Sequence, residues 1–457
     1  MRQLFGTDGI RGVANREPMT PEMAVLLGRA SAYVLAKKRG VKRPKVIIGK
    51  DTRLSGYLLE FALTSGMLSV GADVWLCGPL PTAAIAYLVR ANNFDMGAVI
   101  SASHNSYEDN GIKFFDKDGF KLPDELETEI ESLMNSSELN KFRPWGSDVG
   151  RAYRFTDGLK RYVAFVNKIF SKGKKLKGLK IVVDCANGAA YRAAPMILES
   201  LGAKLELIAS TPDGININDA CGSLSTDSLR KRVLKTKADA GIALDGDADR
   251  AIMCDEKGNI IDGDHIMAIC AKKMIDKKAL AKNTLVATVM SNMGLKESIE
   301  RMGGKVVRCP VGDRYVVETM KKEKYNLGGE QSGHIVFLDK STTGDGIITA
   351  CEVLSAMASE NKPLSKLARV METYPQLLVN VRVCEKRPFE KLPEIKRAIE
   401  VAEISLGEFG RIFVRYSGTE NLARVMVEGK EELKIKEIAN NIANLFEKHV
   451  GVGGSHD

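Results

Sequence analysis

Three aspartates alternate in the run DGDADR, Asp245, Asp247 and Asp249, directly after the apolar stretch Ala240 to Leu244. A strand would deliver the run to a sheet edge, where a bending loop can converge three carboxylates on one point. Oxygen-only ligands suit a hard divalent cation, Mg2+ or Ca2+, better than zinc or copper. The EF-hand loop opens with the same Asp-x-Asp-x-Asp pattern, and Ile252 and Glu256 fall at its eighth and twelfth places, so a calcium-binding regulatory protein is a rival reading. It is the weaker one. Arg250 stands at the sixth place, where that loop turns on a glycine, and the flanks Ala240 to Leu244 and Asp255 to Ile261 pattern as strand and turn rather than as helices.

Four further strings carry chemistry. In SASHN, after a strand ending at Ile100, Ser103 is a candidate nucleophile at the carboxyl end of a strand, where open α/β sheets place ligands. No Gly-x-Ser-x-Gly surrounds it, so it is not a hydrolase elbow. The adjacent His104 reads equally as a structural histidine. In RYSGTEN, Arg415 supplies a fork of donors while Ser417, Gly418 and Thr419 offer hydroxyls and backbone N–H groups to three phosphate oxygens, with Arg424 a few residues on. In GGEQSGH, Glu330 and Ser332 can accept and donate to sugar hydroxyls, and His334 is a candidate proton carrier. Arg11 in FGTDGIRG and Lys113 in GIKFF are cations that could stand beside a phosphoryl group, although each alone reads as surface charge.

The elements that must position these groups repeat. Three segments share an apolar strand, a polar or glycine-containing turn, a helix, and a glycine leading into another apolar strand: Lys45 to Gly49 with ADVWLCG, Lys180 to Asp184 with KLELI, and Thr284 to Val289 with KVVRC. The alternation predicts parallel α/β sheets with right-handed crossovers, three times over. After Pro375 the strands LLVNVRV, GRIFVRY and LARVMVEG precede a helix carrying Leu433, Ile435, Ile438, Ile442, Leu445 and Phe446 at helical spacing, an α+β pattern. The expected architecture is three similar mixed or parallel α/β domains, 1–152, 153–256 and 257–370, plus a C-terminal α+β domain, 371–457, around a central cleft. At 457 residues the chain exceeds the roughly 250 to 300 residues at which one core stops growing.

Composition narrows the class. Hydrophobic content of 44% supports real cores, and eight scattered cysteines, the closest pair being Cys254 and Cys270, argue against a zinc ribbon or a disulfide framework and for a reducing cytoplasm. The net charge of +9 is spread over lysine-rich segments without an aromatic-interleaved basic patch, so no nucleic-acid partner is expected. No run reaches the roughly 20 apolar residues of a membrane span, and the opening MRQLFGTDGIRG lacks the apolar core of a signal peptide.

Taken in order, FGTDGIRG, SASHN, DGDADR, GEQSGH and RYSGTEN resemble the α-D-phosphohexomutase superfamily over nearly the whole chain. The length, the glutamine in GEQSGH, VGDRYV at Val311 to Val316 and TTGDG at Thr342 to Gly346 are most similar to its branch acting on glucosamine phosphates. The resemblance implies interconversion of glucosamine 6-phosphate and glucosamine 1-phosphate on the way to UDP-N-acetylglucosamine and cell wall, with glucosamine or glucose 1,6-bisphosphate as intermediate and activator. Phosphomannomutase or phosphoglucomutase activity is the nearest alternative. It makes Ser103 the phosphoryl carrier, whose phosphate joins Asp245, Asp247 and Asp249 in holding Mg2+. Glu330 and Ser332 would bind sugar hydroxyls, and Arg415, Ser417, Gly418, Thr419 and Arg424 the phosphate that is not reacting. Arg11, Lys113 and His334 would serve phosphoryl contact and acid-base assistance, and His104 and Arg250 count with the substrate contacts. A homodimer would be in keeping with the superfamily. Two departures stand out: Ser106 and Asn421 replace prolines usual after His-Asn and Thr-Glu, each losing a rigid backbone constraint but no chemical group.

Overall fold

The computed structural model describes residues 4–6, 8–170, 176–417 and 421–452. By its contacts the chain forms two compact units, Met1–Met290 with Met302–Val370, and Ser291–Arg301 with Met371–Asp457.

The larger unit contains three sheets. In the first, the order is Ile10–Val13, Asp109–Asp116, Met96–Ile100, Lys45–Lys50, Asp73–Pro79, Ala152–Arg154. The second runs Ile260–Ile261, Ala251–Asp255, Ala240–Leu244, Lys180–Asp184, Lys204–Ile208, and the third Lys305–Cys309, Thr284–Thr288, Leu327–Gly329, Ile335–Phe337. The repeated strand–helix–strand segments form the parallel heart of each sheet, as their alternation predicts. Each sheet is mixed, within the expected mixed or parallel architecture. Met96–Ile100 pairs antiparallel with Asp109–Asp116, Ala240–Leu244 with Ala251–Asp255, and Leu327–Gly329 with Ile335–Phe337. In each case a strand is followed by a loop and a direct return, too short a connection for a helical crossover. Those three loops are SASHN, DGDADR and EQSGH, so the antiparallel returns are what create the functional loops.

The two strands that deliver the first two loops, MGAVI and AGIAL, are buried along their whole length. Small and apolar residues on both faces are what a strand covered by helices on two sides requires. Flanking helices are fixed by side-chain caps. Thr20 accepts from the backbone N–H of Met23, Asp262 from that of His265, and Asp345 from those of Ile347 and Ile348, each satisfying donors that the first helical turn leaves over. The flanks of DGDADR are strands, which removes the EF-hand alternative.

The smaller unit is a three-stranded antiparallel sheet, Gln376–Arg382, Leu422–Gly429, Gly410–Tyr416, packed on the helices Pro393–Leu406 and Glu432–Val450. The strands and the last helix follow the apolar periodicity; Ile435, Ile442 and Phe446 are buried whereas Leu433 is exposed. The helix Pro393–Leu406 was not among the expected elements. The helix Met293–Arg301 joins this unit, and the buried Glu428 accepts from the backbone N–H of Met293 at 2.7 Å. Among the described residues no helix is long and apolar enough to cross a membrane.

Candidate active site

The serine and the aspartates meet. Ser103 Oγ donates to Asp245 Oδ2 at 2.5 Å, and both side chains are buried. Ser103 itself sits at φ +53, the left-handed region a residue with a Cβ avoids, so the surrounding structure must hold it there. Gly246 permits the close approach of the two loops: a Cβ at that position would lie 2.5 Å from the Ser103 carbonyl oxygen.

Asp245, Asp247 and Asp249 present carboxylate oxygens within 4.8 Å of one another. Burial and the neighbouring charges of Asp249 and Asp247 push Asp245 well above the ordinary carboxylate range. Burial also opposes ionisation of Asp249, but the charges of His334 and Lys113 hold it well below that range. Oδ1 of Asp247 and Oδ1 of Asp249 are buried without a hydrogen bond. Buried carboxylate oxygens with lone pairs to spare, on a cluster that cannot ionise fully by itself, are the donor set for a hard divalent cation.

Fixed cations surround the cluster. Lys113 Nζ lies 3.0 Å from Oδ2 of Asp247 and 3.0 Å from Oδ2 of Asp8. Burial works against its charge, but Asp247 and Asp8 raise its pKa above that of a free lysine. Arg11 pairs with Asp8 and reaches the Ala102 carbonyl at 3.5 Å. Lys121 bridges Asp8 and Asp313. The backbone N–H of Arg250 donates to Asp245 Oδ1 at 3.1 Å, and its guanidinium lies 3.9 Å from Asp249.

The two histidines are driven in opposite directions. His104, with Nδ1 3.3 Å from Ser103 Oγ, is pushed down to about 4 by burial and by Arg250 and Arg11, so it is a neutral ring at neutral pH. For His334, burial lowers the pKa but Asp249 at 3.5 Å and Asp313 at 3.4 Å outweigh it and raise the ring to about 9. Its Nε2 also accepts from the backbone N–H of Gly344 at 3.2 Å, so both ring nitrogens face fixed partners.

The third loop is stitched to the second. The backbone N–H of Ala251 donates to the Gly333 carbonyl at 3.1 Å, and Gly333 at φ +90 has no room for a side chain, since a Cβ would lie 2.3 Å from the Ala251 carbonyl oxygen. Glu330 accepts from the backbone N–H of Gly312 at 3.0 Å and from Ser332 at 3.5 Å. A cavity of about 400 Å3 is lined by Arg11, Asp249, Arg250, Glu330 and His334 together with Asp8 and Asp313. A basic rim beside a carboxylate that can accept hydroxyl protons fits a sugar phosphate.

In the smaller unit Arg415 and Arg424 are direct cross-strand partners, with their side chains on one face of the sheet. Ser417 is buried, its N–H donates to the Leu422 carbonyl at 2.8 Å, and its own carbonyl accepts from Lys386 Nζ at 2.7 Å. Gly418 and Thr419 lie outside the described residues.

Sequence reasoning missed Asp8, Lys121, Asp313, Lys386 and Thr82, whose hydroxyl donates to Asp247 Oδ2 at 2.7 Å. Asp8 and Asp313 sit inside quoted strings, FGTDGIRG and VGDRYV, where an acidic residue beside a candidate cation was the available signal. Lys121 and Thr82 carry no local signal.

The whole chain matches the phosphoglucomutase/phosphomannomutase family domain by domain: alpha/beta/alpha domain I over residues 2–141, domain II over 160–258, domain III over 262–374 and the C-terminal domain over 378–445. A Burkholderia thailandensis phosphoglucomutase/phosphomannomutase family protein has the same fold, with a TM-score of 0.81 at 22% identity and 96% of each chain covered. So does an Aspergillus fumigatus N-acetylphosphoglucosamine mutase, with a TM-score of 0.65 at 19% identity, covering 97% of this chain and 95% of that one. Curated relatives named phosphoglucosamine mutase match far more closely. That of Pelobacter propionicus is 55% identical, with 99% of each chain covered, and that of Geobacter metallireducens is 55% identical, covering 99% of this chain and all of its own length. The chain belongs to the phosphoglucosamine mutase family and is an isomerase of the mutase class.

Proposed function

We propose that the chain interconverts glucosamine 6-phosphate and glucosamine 1-phosphate, with Ser103 carrying the phosphoryl group and a hexosamine 1,6-bisphosphate as intermediate. The observation that carries this reading is the buried contact of Ser103 Oγ with Asp245, inside a carboxylate cluster ringed by Arg11, Lys113, Arg250 and His334. The relatives' shared name supports the amino sugar as substrate. The Aspergillus fumigatus enzyme in complex with GlcNAc-6P and magnesium supports the metal and the phosphosugar, and its complex with glucose 1,6-bisphosphate supports the intermediate.

Asp245, Asp247, Asp249 and the phosphate on Ser103 would hold Mg2+, which when bound would offset negative charge on the transferring phosphoryl group. Phosphoryl transfer proceeds through a largely dissociative transition state, so the protein's part is alignment and charge. Arg11 and Lys113, fixed by Asp8 and Asp247, supply cations that need no reorganisation as the group moves. His104, with Nδ1 3.3 Å from Ser103 Oγ, would orient that hydroxyl and contact the substrate. His334 lines the cavity and would serve acid-base assistance there. Glu330 and Ser332 read sugar hydroxyls, while Arg415, Ser417, Gly418, Thr419 and Arg424 hold the phosphate that is not reacting. The bisphosphate must turn by half a revolution between the two transfers, which makes separate grips for its two ends a requirement. A cytoplasmic enzyme supplying peptidoglycan precursors is the corresponding role.

Ser103→Ala tests the reading. Mutase turnover should fall by at least about 1000-fold with the fold intact by circular dichroism. Turnover near the wild-type rate would refute it.

A further inference from the structure

Besides its side-chain bond to Asp245 and its N–H bond to Ser101 Oγ, the Ser103 turn is held through the carbonyl oxygens around it. The Ser103 carbonyl accepts from Arg53 at 3.2 Å and from Asn218 Nδ2 at 2.9 Å, and the Asn105 carbonyl accepts from the same two groups at 2.6 and 2.9 Å. Each carbonyl has two lone pairs, and both are used. Arg53 comes from the same sheet as the serine loop, is fully buried and pairs with Asp51. Asn218 comes from the second sheet's loop after Lys204–Ile208, the sheet that also delivers the aspartates. Gly246, in the aspartate run, leaves room for both: a Cβ there would meet the Ser103 oxygen at 2.5 Å and Asn218 Nδ2 at 2.9 Å.

We infer that Asn218 is a positioning residue for phosphoryl transfer: its amide, spanning two carbonyls of the serine loop, sets the place of Ser103 Oγ relative to the aspartates. The inference rests on Ser103 being the phosphoryl carrier. Asn218 touches neither the serine side chain nor the cavity, so its effect passes through the loop backbone alone. One bridging amide tying two loops from different sheets fixes their separation, and displacement of a reacting group by about 1 Å costs on the order of 100-fold in rate.

Two variants keep the fold while removing the donors. Asn218 stands at φ +57, which aspartate tolerates and glycine adopts freely. Asn218→Asp keeps the shape but sets a carboxylate against two carbonyls, and Asn218→Gly deletes the side chain. In both, kcat should fall about 10- to 100-fold with KM for glucosamine 6-phosphate within about 2-fold and Tm unchanged. Thr52→Ala is the matched control: its hydroxyl bridges the same two sheets' loops, donating to the Asn187 carbonyl at 2.5 Å, without touching the serine loop. Its kcat should stay at the wild-type value. Wild-type kcat in either Asn218 variant would overturn the inference, as would an equal loss in Thr52→Ala or a loss that tracks a fall in Tm. Ser103→Ala run alongside separates the two levels: if it retains turnover, the phosphoserine reading fails, and if it is inactive while the Asn218 variants are normal, only the positioning role fails.

Discussion

The serine–aspartate corner and the arginine pair of the smaller unit both handle charge, and they do so in opposite ways. In the corner every cation already has a carboxylate: Lys113 lies between Asp8 and Asp247, Lys121 between Asp8 and Asp313, and His334 between Asp249 and Asp313. Lys113, His334, Asp247 and Asp249 are buried, and Asp8, Lys121 and Asp313 are half-buried around them. In the smaller unit Arg415 and Arg424 stand opposite each other across two antiparallel strands, two like charges on one face of the sheet. The difference separates two tasks. On the proposed function, the end that does chemistry is preorganised, and the arginine pair serves to grip the phosphate that is not reacting.

The comparison can be broken at either end. Asp247→Asn attacks the preorganised side, removing a charge partner of Lys113 and a proposed metal ligand together. Turnover should drop by about 100- to 1000-fold, and the Mg2+ concentration giving half-maximal rate should rise at least about 10-fold. A normal rate at unchanged Mg2+ would mean that the cluster is only structural. Arg415→Gln attacks the grip. Loss of a charge-assisted hydrogen bond to phosphate is worth about 1.5–3 kcal/mol, so KM for glucosamine 6-phosphate should rise about 10- to 100-fold. Tm should change by no more than a few degrees, because Arg415 is only half-buried. A large fall in Tm with an unchanged KM would contradict the contrast between the two regions.

The smallest effect is expected at a charge cluster away from both. Glu352 lies 2.8 Å from Lys273 and 3.0 Å from Lys340. Burial opposes its ionisation, but the two lysines outweigh it and lower its pKa. A carboxyl with a depressed folded-state pKa contributes stability that is complete above its unfolded value, about 4.3, and is lost as pH falls through the folded value. Glu352→Gln should cost about 2 kcal/mol at pH 7, between the values for exposed and buried pairs. Its urea midpoint should also fall less steeply than the wild type's below about pH 4.

These contrasts bear on what a linear sequence reveals. The aspartate cluster was legible because its three ligands lie within one short run, and a strand of AGIAL composition announces where it ends. The strands of the smaller unit were legible through their alternation. Invisible were the contributions made at long range. Asn218 is one asparagine in a loop of several, and Arg53 one arginine among many; only the fold brings them to the same two carbonyls. The opposite titration of His104 and His334 was hidden for the same reason, since it depends on which of Arg250, Asp249 and Asp313 each ring meets. Which strand pairs run antiparallel is legible in the short spans between SASHN and GIKFF and between DGDADR and IMCD, which leave no room for a helix.

The most direct test follows 31P NMR of the purified protein with Mg2+ and a trace of glucose 1,6-bisphosphate, with glucosamine 6-phosphate, glucose 6-phosphate and mannose 6-phosphate in parallel tubes. The 1-phosphate should form fastest from glucosamine 6-phosphate, with no net release of inorganic phosphate. Faster conversion of glucose or mannose 6-phosphate would contradict the assigned substrate, and inorganic phosphate without any 1-phosphate would contradict the mutase chemistry itself.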